Sequence, residues 1–212
     1  MVVGENKRGE SIQTKKGVIE NVNNFKYLGT TLTLDGKSDT DIRVRVGQGR
    51  QAINTLNSLW WSKEISRNNK KKLYKSIVEP ITTYGCEVWE ISKKNENRLK
   101  ALQMDFARSC RISRIEHKTN TEIKEKMKIE ETIIDGIEKR RLMWYGHVRR
   151  MGKDRWPLRV WEWVPKERRK KGRPRNTWKK GVTEAMINRQ IEEETWQDRE
   201  EWRRGCRKQR QL

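Results

Sequence analysis

The chain has 212 residues, of which 50 are lysine or arginine and 29 acidic, a formal net charge of +21. That excess makes a polyanion the expected partner. Only 33% of residues are hydrophobic and no apolar run reaches ~18 residues, so neither a membrane span nor secretion is expected. Ten tryptophans, each able to bury ~150–250 Å², offset a low aliphatic content, and folded helices with poorly ordered stretches between them are expected.

Met1 opens a polar, glycine-containing stretch that reads as a start inside a longer reading frame. The alternation in Val18–Val22 and again from Phe25 to Leu34 predicts a β-hairpin. Within it, Gly29 lets another backbone or a nucleic-acid strand come close, and Asp35-Gly36 is strong turn chemistry.

Three helical segments follow. From Asp39 to Trp61, Ile42, Val46, Gly49, Ile53, Leu56 and Trp60 fall in one wedge, with Gly49 read as a close-packing position and Arg43, Arg45 and Arg50 off the wedge, free to track a nucleic-acid backbone. The second segment starts after Ser66, a predicted N-cap. It places Leu73, Ile77, Tyr84 and Val88 on one side, with Pro80 expected to kink or divide it. Lys70, Lys71 and Lys72 sit in its first turn, where positive charge opposes the helix dipole; that placement favours contact with phosphate. The third, near Asn95 to Arg111, turns Leu99, Leu102, Phe106 and Cys110 inward.

Residues 113–121 are polar and form the expected boundary. A short helix capped by Asn120 or Thr121 precedes one from about Thr132 to Met151, with Ile133, Ile137, Trp144, Val148 and Met151 together and Lys139, Arg149 and Arg150 opposite. Residues 139–180 then hold 17 Lys or Arg against three acids, interleaved with Trp144, Trp156, Trp161, Trp163 and Trp178. Cations for phosphates and flat rings for unpaired bases suit single strands or RNA–DNA junctions, although the tryptophans serve equally well as packing. The densest run carries Arg168, Arg169, Lys170, Lys171, Arg173 and Arg175 around a Gly-Arg-Pro core, similar to a minor-groove hook or a nuclear-localisation signal. Two further helices follow, Thr177–Asn188 and about Glu192–Arg207; the second has dipole-matched ends, and the region has no assigned chemistry.

Phe25-Lys26-Tyr27-Leu28-Gly29, Asp35-Gly36, Asp41-Ile42, Leu73-Tyr74-Lys75-Ser76, Pro80, the run Tyr84 to Trp89, the run Arg141 to Val148 and Gly172-Arg173-Pro174 occur here in family order. Taken together they resemble the C-terminal part of a non-LTR (LINE-type) retrotransposon endonuclease-reverse transcriptase, over roughly residues 15–185. The resemblance implies that Phe25, Lys26, Tyr27, Leu28 and Gly29 form the primer grip at the palm's edge, and that the following helices form the thumb. It implies as partners an RNA template, a DNA primer or target, and the upstream palm and fingers, with no membrane. The implied location is the nucleus, with a cytoplasmic ribonucleoprotein as the other.

The family's chemistry needs adjacent palm aspartates holding the metals, and no Asp-Asp pair occurs in this chain. Asp35 reads as a turn residue and Asp39 and Asp41 as helix-start caps rather than metal ligands. No enzymatic activity of its own, no catalytic residue, no metal site and no cofactor are therefore expected, although the full-length family uses Mg²⁺. Cys86, Cys110 and Cys206, with His117 and His147 the two histidines, have no zinc-module spacing and read as small buried groups in a reducing compartment.

The fold expected is mainly α: a palm-edge hairpin over 1–37, a three-helix thumb-like bundle over 38–113 and a basic, tryptophan-rich helical region over 114–212. The function expected is that of a C-terminal reverse-transcriptase fragment. The alternatives are a stand-alone basic RNA- or DNA-binding protein of retrotransposon origin, a nuclease built on Asp35, Asp39 and Asp41, and a decayed product with no function.

Overall fold

A computed structural model describes residues 12–15, 17–19, 22–112, 114–164 and 176–210. These residues are mainly helical, with short β-hairpins toward the N-terminus. They form two compact units, one reaching Gly85 and resuming over Trp89–Ile133, the other comprising Cys86–Val88 and the chain from Ile134 onward.

The first unit opens with two antiparallel hairpins rather than the single one expected. β1 (Ile12–Thr14) pairs with β2 (Gly17–Ile19), and β3 (Asn24–Tyr27) pairs with β4 (Thr30–Thr33). Tyr27 faces Thr30, so the second turn consists of Leu28 and Gly29, at φ 47° and 86°. Positive φ at both central positions is what a two-residue turn between right-twisted strands requires. Asp35-Gly36 serves a different turn, from β4 into the first helix: the Asp35 carboxylate accepts from the Thr33 hydroxyl at 2.5 Å and the Lys37 N–H at 3.1 Å.

Helix α1 (Asp39–Thr55) buries Ile42, Val46, Gly49 and Ile53, as its periodicity predicts, and breaks at Leu56 before α2 (Asn57–Trp61). A Cβ on Gly49 would land on the Thr82 hydroxyl and 2.9 Å from Leu102, so this glycine is the close-packing point expected. Ser66 caps α3 (Arg67–Leu73) by accepting from the Asn69 N–H. Pro80 does not end this segment: α3 passes through one π-helical turn, Tyr74–Val78, into α4 (Glu79–Thr82). Proline has no N–H to give the turn below. The wide turn ahead of it sends the Glu79 N–H to the Tyr74 carbonyl, five residues back. Lys70, Tyr74, Val78 and Thr82, spaced four apart, point inward, while of the expected stripe Ile77 is exposed on the helix and Tyr84 and Val88 are exposed beyond its end at Thr82.

Helix α5 (Lys93–Ser109), capped by Ser92, buries Leu99, Leu102 and Phe106, with Cys110 just beyond its end. Phe106 stacks on Tyr74 with ring centres 4.1 Å apart and meets the Trp60 edge at 5.3 Å, the aromatic centre of the bundle. Helix α6 (Asn120–Met127) also belongs to this unit. Its cap is Thr119, one residue before the position predicted, in a reciprocal box with Glu122 that draws the Glu122 carboxyl below its ordinary range.

The second unit takes in α7 (Ile133–Arg149) from Ile134, together with α8 (Trp156–Glu162), α9 (Trp178–Ile187) and α10 (Arg199–Arg207). Asp198 accepts from the N–H groups of Glu200 and Glu201, so the predicted helix over 192–207 splits into a 3₁₀ turn, Glu193–Gln197, and α10. Trp202 inserts between Leu142 and Cys206, donating its indole N–H to the Leu142 carbonyl at 3.0 Å. A Cβ on Gly146 would overlap that indole, which explains a glycine mid-helix. Tyr145, Trp161 and Trp178 continue the cluster edge to face, and the Trp178 N–H reaches the Glu87 carbonyl at 2.7 Å. Buried Arg189 is held by Glu138 at 2.6 Å and by the Asp135 carbonyl at 3.2 Å.

Candidate nucleic-acid interface

All five residues of the Phe25–Gly29 segment are exposed at the end of the β3–β4 hairpin, Leu28 at 74%. A two-stranded ribbon has little stability of its own, and here the helices supply the rest. Arg45 donates to the Gly29 carbonyl at 2.6 Å and lies 4.4 Å above the Tyr84 ring, while the Tyr84 hydroxyl donates to the Leu28 carbonyl at 2.9 Å. Asp41, 1% exposed, accepts from the Thr31 N–H at 2.9 Å with one oxygen and from the Trp89 indole at 3.0 Å with the other. Both carbonyls of the turn and one strand are thus tied from behind, and the outward side chains, Lys26 among them, are left to solvent. The close approach at Gly29 is made by Arg45 itself, 3.3 Å from where a Cβ would stand.

These contacts revise three expectations. Arg45 is not a backbone-tracking cation but a buried clamp, whereas Arg43 and Arg50 are exposed as expected. Asp41 lies in the first turn of α1, yet its oxygens go to the hairpin and Trp89 rather than to helix N–H groups. Asp39 binds Asn95 and Ser92. The three carboxylates face different partners, and no metal-holding group of three His, Cys, Asp or Glu occurs among the described residues. Sequence reasoning missed Arg45 as a positioning residue. The available signal was its place between buried Ile42 and Val46, one turn after an acid.

Of the three lysines expected to meet phosphate, Lys70 is 2% exposed and donates to the Trp60 and Ser62 carbonyls at 2.6 and 2.7 Å, closing the end of α2. Burial, with Arg111 and Arg67 nearby, lowers its pKa. Lys71 reaches the Lys128 carbonyl at 3.1 Å, and Lys72 is exposed. Arg149 and Arg150 are likewise structural. Arg149 lies 4.7 Å above the Trp196 ring and 3.8 Å from Glu162, and Arg150 donates to the Trp196 carbonyl at 2.6 Å. Arg168, Arg169, Lys170, Lys171, Arg173 and Arg175 lie outside the described residues. The tryptophans divide by role: Trp161 and Trp178, partly buried, pack against the core cluster, while Trp156 and Trp163 are 70% and 68% exposed.

Cys86, Cys110 and Cys206 are buried free thiols, as expected, pushed by burial to about 12, 11 and 11. Such groups are poor nucleophiles near neutral pH. Among the described residues no helix is long and apolar enough to cross a membrane.

A Caenorhabditis elegans protein described as an uncharacterized transposon-derived protein is 26% identical over 200 residues, covering 87% of this chain and 70% of the relative. No family model matches the chain, and no solved structure matches it significantly.

Proposed function

We propose that this chain is the nucleic-acid-holding C-terminal part of a non-LTR retrotransposon reverse transcriptase. It presents the Phe25–Gly29 tip to a primer end and carries template RNA and primer or target DNA on its basic region. The bond-making aspartates and their Mg²⁺ belong to upstream sequence, so the chain does not polymerise alone. One observation carries this reading: the tip is exposed outward and tethered inward by Arg45, Tyr84 and Asp41. A strand end is held best by a loop that loses no freedom on binding. The +21 charge and the exposed Trp156 and Trp163 supply phosphate neutralisation and stacking faces. Similarity to a transposon-derived protein supports the origin.

Filter binding of an RNA–DNA hybrid tests it. With about six phosphates neutralised, affinity falls ~10³-fold between 50 and 200 mM salt. Neutralising Arg168, Arg169, Lys170 and Lys171 weakens binding and flattens that slope. Indifference to RNA and DNA at low salt, or nucleotide incorporation by the purified chain, overturns the proposal. A stand-alone binding protein is the second reading, favoured by a hairpin braced on this chain's own helices. An upstream palm domain added in trans raises primer affinity under the first reading and leaves it unchanged under the second.

A further inference from the structure

The first unit contains an open cleft of about 380 Å³ that none of the contacts above uses, within the size range of small-ligand sites. Its floor is apolar, Ile53 and Ile112 being 3% and 2% exposed. Trp61, from α2, offers a half-exposed indole at its edge. Arg50 and Arg108 bring two guanidinium groups to the same cleft against one carboxylate, Asp105. Asp105 engages Arg50 through Nε at 3.3 Å, and Arg108 gives Nη2 to Asn120 at 2.9 Å, bonds that each use one nitrogen of the guanidinium group. Asn54, also lining the cleft, has a side-chain amide with no partner among the described residues.

We infer that this cleft takes one unpaired nucleotide of a single strand, its base against Trp61 and its phosphate between Arg50 and Arg108. An aromatic face, a donor–acceptor amide and paired guanidinium groups match a base face, a base edge and a phosphate respectively. Only a base outside a duplex stack exposes its face, so a single strand is the ligand. The inference rests on the nucleic-acid reading above and assigns that reading a site distinct from the hairpin tip.

The test uses the full 212-residue chain, ¹⁵N-labelled, with the Trp61 indole signal identified by its loss in Trp61→Phe. A short oligothymidylate moves that signal, and its duplex does not. Trp61→Ala lowers affinity for the single strand about fivefold or more, Trp61→Phe retains most of it, and Asn54→Ala falls between. Both positions are exposed, so folding survives either change. Salt-sensitive binding that Trp61→Ala leaves intact overturns the site while sparing the broader reading. Absence of any nucleic-acid binding overturns both. An equal shift with poly-glutamate replaces the nucleotide by an acidic peptide and overturns the inference as well.

Discussion

Asp41 is where the hairpin, the first helix and Trp89 meet. Its two oxygens are the acceptors for a strand N–H and an indole N–H, both inside the fold. Removing the carboxylate strands a buried indole donor and a partly buried strand donor, a buried one being worth about 1–3 kcal/mol. Asp41→Ala therefore costs on the order of 2–5 kcal/mol, and Asp41→Asn, which keeps one acceptor, costs less. Urea denaturation gives the loss directly, and hydrogen exchange at Thr31 locates it; native protection there in Asp41→Ala would refute the bracing role. Arg45 acts on the same hairpin through the Gly29 carbonyl. Its position off the apolar wedge made it look like a solvent-facing cation, because helical periodicity ranks residues by their own polarity and carries no information about a partner sixteen residues earlier.

At the level of elements, glycine separates packing from propensity within α1. A Cβ on Gly47 would meet nothing within 4 Å, whereas one on Gly49 faces Thr82 and Leu102. Gly47→Ala stabilises the chain by about 0.5–1 kcal/mol, the ordinary gain in a helix interior. Gly49→Ala forces α1 away from α4 and α5 and costs about 1–3 kcal/mol. Paired thermal melts check both signs, and a stabilising Gly49→Ala would mean that the helices are not packed as described. The expected stripe misplaces the inward side of the second segment: the buried line runs Lys70, Tyr74, Val78 and Thr82 through the π turn, Ile77 lies off it, and Tyr84 lies beyond the end of α4. The helix and its cap were readable from Ser66 and the spacing; its end at Thr82 and the π turn within it were not, because a backbone adjustment leaves no pattern of side chains.

Across the whole chain, buried thiols make the fold sensitive to alkali. Burial pushes Cys86 to about 12 and Cys110 and Cys206 to about 11, from an ordinary value of 9.0. Below pH 9 the thiols are protonated in both folded and unfolded chains and their contribution is intact. As pH rises through 9 toward 11, the unfolded chain ionises first and stability falls by up to about 1.4 kcal/mol per thiol per pH unit. The urea midpoint therefore drops steeply between pH 9 and 11, and Cys206→Ala makes that drop shallower; a midpoint flat across this window would contradict the burial. Disulfide-exchange reagents at pH 8 react slowly with the native chain and quickly once it is unfolded.

Features governed by neighbours one or two turns away could be read from the residues alone: a mainly helical chain, the buried sides of α1 and α5, the Ser66 cap, and three buried cysteines. Charge composition, which needs no fold, set the expectation of a polyanionic partner. Packing settled which cations stay in water, since Lys70, Arg149 and Arg150 close helix ends and cover Trp196 instead. Packing also braced the hairpin, because Asp41 finds Trp89 across 48 residues and Tyr84 finds Leu28 across 56. Contacts over such separations depend on how elements meet in space, and local spacing does not encode that meeting.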